Sequence, residues 1–113
     1  MQEKALRGQY PENIVESQLK AGFFWKAMPQ TYRELATHDF HALLRTFMSP
    51  VLIVNGENDR QNRKGEAELL RAVQDGQIEI IAQANHLCNL DQPAAFTHQM
   101  RAFAKRLQAA IRN

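Results

Sequence analysis

A single cysteine, Cys88, excludes an internal disulfide in this 113-residue chain. Cysteine so scarce makes a reducing, cytoplasmic setting the expectation. Long apolar runs are missing too. None approaches the roughly 18 residues of a membrane span, and the opening MQEKALRGQYPE lacks the apolar stretch of a signal peptide, so no membrane partner is expected. Charge of one sign is scarce: 14 basic and 12 acidic residues leave +2, mixed along the chain. A nucleic-acid surface needs a basic stripe that this pattern does not supply. Repeats, low-complexity tracts and Gly/Ser linkers are absent. What is present, 44% apolar and 23% charged residues, has the composition of a soluble globular chain. Its length suits one domain over 1–113.

Two short runs read as strands. Pro50-Val51-Leu52-Ile53-Val54-Asn55-Gly56 is β-branched, opened by proline and closed by Asn-Gly. Gln77-Ile78-Glu79-Ile80-Ile81-Ala82 follows Asp75-Gly76. These predict strands at about 51–55 and 78–82. Four successive apolar residues, Val51 to Val54, suggest a strand buried on both faces, as in a parallel sheet covered by helices. Between the runs, Arg63 to Gln74 places Ala67, Leu70 and Val73 on one helical face. Strand, helix and strand within about 30 residues make a βαβ unit and an α/β fold class. Gln83 to Gln92 reads as irregular. A final helix starts at Pro93, a favoured first-turn residue, with Phe96, Met100, Phe103, Leu107 and Ile111 as its apolar face.

Residues 1–47 read as a separate helical segment. Pro11-Glu12-Asn13 opens a helix holding Ile14, Val15 and Leu19, and Gln30–Leu35 and Asp39–Phe47 are two shorter ones. Phe23, Phe24 and Trp25 form an aromatic cluster that either fills a core or, with Leu87, lines a substrate pocket under a lid.

The chemistry lies at the strand ends. Asp59 follows the first strand by four residues, and His86 follows the second by four. Adjacent parallel strands lie about 4.8 Å apart, so both residues emerge at one edge of the sheet, the carboxyl edge where open α/β sheets place their sites. A carboxylate on Nδ1 would fix the histidine tautomer and leave Nε2 as a base. A turn aspartate and a self-satisfied loop histidine fit the same spacing. Other candidates carry less. Cys88 stands too near His86 to face it as a nucleophile and suits packing against the last helix. His38, Asp39 and His41 do not make a metal site without more ligands, so neither metal nor cofactor is expected.

The local motifs resemble the α/β-hydrolase family. Val51-Leu-Ile-Val-Asn-Gly-Glu-Asn-Asp59 is similar to the strand and G-x-x-D turn that carry that family's catalytic acid. His86-Leu87-Cys88-Asn89-Leu90-Asp91-Gln92-Pro93-Ala94-Ala95-Phe96 is similar to the H-x-x-N-x-x-x-P-x-x-F segment that carries its histidine. The order, acid before histidine, is the family's order. The resemblance covers about residues 40–108, and residues 10–40 look like part of the cap over the pocket. It implies a partial α/β-hydrolase fold, with Asp59 and His86 catalytic in a Ser-Asp-His triad that cleaves esters or related acyl or C–C bonds.

Two departures bear on that expectation. Where the family has G-x-G-H, this chain has Gln83-Ala84-Asn85-His86, and Asn85, whose type tolerates a left-handed backbone, is expected to stand in for a glycine. More important, no G-x-S-x-G is present; the only serines are Ser17 and Ser49, and Ser49 precedes the first strand, at the wrong edge of the sheet. The chain alone is therefore expected to be inactive. An open two-stranded sheet also recruits partners. The expected ones are a second copy in a homodimer or a complementary N-terminal hydrolase half, with a small-molecule substrate once the site is complete. A truncated or processed hydrolase is a further origin. The alternative function is a non-catalytic remnant that oligomerises or binds a ligand.

Overall fold

A computed structural model describes residues 3–22 and 27–112, except the side chain of Ala5. The chain divides into two compact units, Met1–Asp39 and Phe40–Asn113. The boundary falls just before the helix at 40–45.

The first unit holds α1 (Glu3–Gln9), α2 (Glu12–Ala21) and α3 (Met28–Ala36). Pro11 precedes α2, where its missing N–H costs nothing, as the sequence suggests. Leu6 of α1 and Val15 of α2 are the largest fully buried side chains among the described residues. Arg7 pairs with Glu3 one turn back and with Glu12 across the α1–α2 turn. The aromatic cluster Phe23-Phe24-Trp25, read above as pocket or core, lies outside the described residues.

The second unit holds α4 (Phe40–Arg45), β1 (Val51–Gly56), α5 (Arg60–Arg63), α6 (Glu66–Ala72), β2 (Gly76–Ile81), α7 (Cys88–Asp91) and α8 (Pro93–Arg112). The expected α/β class holds: β1 and β2 pair in parallel, from Val51 against Gly76 to Gly56 against Ile81. Helices α6 and α8 pack on β2, and α4 packs on α6. Arg106 of α8 bonds Asp75 and the Gln77 amide, which fixes the last helix to the start of β2.

Four details differ from the sequence reading. β2 starts at Gly76 and ends at Ile81, so Ala82 already turns. The helix expected over 63–74 is the shorter α6, because the chain bends at Lys64-Gly65 before it begins, and the one-turn α5 capped by Asp59 precedes it as an additional helix. The stretch 83–92 contains α7, closed by Leu90 N–H and Asp91 N–H donating to the Leu87 carbonyl. Val51 to Asn55 is half-buried rather than buried on both faces, and Met100 and Ile111 of α8 are exposed. Among the described residues the sheet has two strands, and the helices that cover it, α6 and α8, pack chiefly on β2, so β1 is not enclosed on both faces.

The deepest packing of this unit sits under the strand ends. Ile81, Ala84 and Cys88 form a buried cluster, with Val54 and Phe96 packed against it. Cys88 is thus a core residue beneath α8, as its position suggests, and burial pushes its thiol pKa up. A raised thiol pKa leaves little thiolate, and a buried cysteine of this kind is chemically inert.

Candidate active site

The flush register of Gly56 and Ile81 brings two loops out at one edge. They are then stitched together. Glu57 N–H donates to the Ile81 carbonyl and Asn58 N–H to the Ala84 carbonyl, both at 2.9 Å. The Glu57 carboxylate accepts from Gln83 N–H at 2.9 Å. Asp91, in α7, accepts from Asn85 N–H at 2.7 Å and braces the second loop from behind.

Gly56 permits this approach. A Cβ there would stand 2.1 Å from the Asn85 carbonyl oxygen and 2.5 Å from that of Ala84. Its φ is not left-handed; the requirement is space. Gln83 meets the opposite requirement, with φ of 55°, the only left-handed non-glycine among the described residues. The expectation that Asn85 takes this role is therefore corrected: Gln83 bends the loop, and its N–H is secured by Glu57.

Asp59 uses its two oxygens for separate tasks. Oδ1 caps α5, accepting from Asn62 N–H at 3.4 Å, a long bond. Oδ2 accepts from the Asn62 side-chain amide at 2.8 Å and lies 2.9 Å from His86 Nδ1. The Asp59 side chain keeps 8% of its surface, whereas that of His86 keeps 75%. A carboxylate oxygen cannot donate, so the short contact requires the proton on Nδ1, donated to Asp59. Asn62 Nδ2 also lies 2.9 Å from Nδ1. With Nδ1 protonated that amide serves Asp59, and Nε2 is left as the acceptor, open to solvent. The His86 contact first, and the Asn62 amide second, hold the Asp59 carboxyl below its ordinary value near 3.8, while burial opposes them.

The structure thus brings Asp59 and His86 together, as the sequence suggests. Leu87 is half-buried at the N-cap of α7, where its carbonyl closes that helix. Ser49 lies before β1, the six residues of that strand, roughly 20 Å, from the loop of Asp59. Ser17 lies in α2 of the first unit.

Sequence reasoning missed three supports. Asn62 carried a faint signal, an amide three residues after a capping aspartate. Glu66 carried none. It accepts from the Asn55 amide at 2.9 Å and from Arg63 Nε at 3.1 Å, while Arg63 also donates to the Glu57 carbonyl. This network ties the Asp59 loop to the end of β1. Glu57 is the third. Among the described residues no group of three or more His, Cys, Asp or Glu side chains is placed to hold a metal, and no helix is long and apolar enough to cross a membrane.

No family model, curated protein or solved structure matches the chain.

Proposed function

We propose that this chain supplies the acid and the base of a serine hydrolase of the α/β-hydrolase type, whose nucleophile lies outside these 113 residues. The observation that carries the reading is the 2.9 Å contact between His86 Nδ1 and Asp59 Oδ2 at the carboxyl edge of a parallel sheet, with no hydrogen-bond partner on Nε2 among the described residues. In such a site Nε2 takes the proton of a serine hydroxyl as it attacks an acyl carbon. The resulting imidazolium, stabilised by ionised Asp59, then returns the proton to the leaving group. Nucleophile and oxyanion donors are needed as well. The sequence has no G-x-S-x-G, and neither serine suits the role. The substrate class is an ester or a related acyl or C–C bond. The fold is then the C-terminal part of the family's fold, completed by a longer polypeptide or by a second chain.

A second reading has its own support. Asp59 caps α5 through Oδ1, and this, with the tie to His86, is enough to hold two loops in a non-catalytic remnant. Activity separates the two. The isolated chain is expected to hydrolyse no p-nitrophenyl ester above background. The species isolated from its source with this sequence in it is expected to do so, and His86→Ala is expected to cost it about 10³-fold or more in kcat. Hydrolysis by that species that is indifferent to His86→Ala would leave the remnant reading standing.

A further inference from the structure

A second polar site lies within the Phe40–Asn113 unit, between α4 and α6. It is a cleft of about 240 Å³ lined by His41, Arg45, Glu68, Arg71 and Ala72. His41 and Arg45 are four apart on α4, and Glu68 and Arg71 three apart on α6, so each pair shares one helical face. The two helices pack together. Beyond α6, the Gln74 amide donates to the Arg45 carbonyl at 3.0 Å, which ties the two walls at one end. Among the described residues that line it, buried Ala72 contributes the only apolar side chain.

The charges in this cleft do not cancel. Glu68 faces His41 at 3.9 Å. Among the described residues, neither the Arg45 nor the Arg71 guanidinium has a carboxylate partner. Two guanidinium groups lining one small cleft suit an oxyanion, because each offers a planar fork of donors matched to two oxygens. The volume is below the usual range for drug-sized ligands, about 300–1,000 Å³, and suits a small anion that keeps part of its hydration. We infer that the α4–α6 cleft binds a small oxyanion of the phosphate type between Arg45 and Arg71, with Glu68 weakening the attraction. Exposed charges are screened by salt, so binding falls as ionic strength rises.

The test is an NMR amide-shift titration of the full chain with inorganic phosphate, at constant ionic strength maintained with chloride. Saturable shifts are expected at residues 41, 45, 71 and 72. Arg45→Gln and Arg71→Gln are each expected to weaken binding about tenfold, and Glu68→Gln to tighten it severalfold. The tightening is informative because a damaged fold does not produce it. Shifts that stay linear in phosphate, or an affinity unchanged in both arginine variants, would overturn the inference.

Discussion

Gly56→Ala tests how the site is assembled. The new methyl would fall about 1.3 Å short of ordinary contact with the Asn85 carbonyl oxygen, and it would also crowd the Ala84 carbonyl. All of these neighbours are backbone, so no side chain can rotate away. The 56–58 segment must separate from 84–85. That stretches the Asn58-to-Ala84 and Glu57-to-Ile81 hydrogen bonds, each 2.9 Å now. Overpacking costs about 1–3 kcal/mol and each weakened bond about 0.5–1.5 kcal/mol. A total of about 2–6 kcal/mol follows, or a drop in Tm of at least about 8 °C for a unit of this size. Gly8 in α1 is the control: nothing lies within 4 Å of its would-be Cβ, so Gly8→Ala should gain about 0.5–1 kcal/mol through helix preference. Urea and thermal unfolding read both variants. Gly56→Ala as stable as the parent chain would refute the close-approach argument and the loop stitching built on it.

Three further outcomes follow from the same geometry. Asp59 has a lowered folded pKa, so its contribution to stability is present above the unfolded value near 3.9 and is lost as pH falls through the lower folded value. The difference in urea midpoint between the parent chain and Asp59→Ala should therefore be widest above about pH 5 and shrink towards pH 3; a difference that grows on acidification would contradict the pairing. Nitrogen-15 shifts of the His86 ring at neutral pH should place the proton on Nδ1, and Asp59→Ala should abolish that preference; an unchanged tautomer ratio would mean that Asp59 does not orient the ring. Gln83→Gly should raise stability by about 0.5–1 kcal/mol, since a left-handed non-glycine costs about 1–2 kcal/mol and glycine returns part of that as chain entropy; a lower Tm would show that the glutamine side chain has a role not seen here.

The strands were legible because their signals are local. Val51 to Val54 is β-branched and apolar, and Pro50, Gly56 and Gly76 mark its surroundings. Asp59 and His86 were legible because parallel strands in register deliver whatever follows them to one edge. What escaped depends on partners distant in sequence. Nothing in a glutamine announces a positive φ; Gln83 is held there by Glu57, 26 residues away. The late start of α6 was hidden because 63–74 keeps helical periodicity across Gly65, and only the capping by Asp59 shows that a separate turn comes first. Glu66 reads as a surface helix acid, yet its side chain is 14% exposed and joins Asn55 to Arg63. The half-buried state of β1 was misread because an apolar run reports what a strand can bury, not what covers it.

The most direct measurement is native mass spectrometry, with a fluorophosphonate probe, of every species from the source that contains this sequence. A hydrolase completed elsewhere requires the label on a serine outside residues 1–113, within a longer polypeptide or a bound second chain, and its loss in His86→Ala. A label on Ser17 or Ser49, or no labelled species at all, would contradict it and leave Asp59 and His86 as a structural tie between two loops.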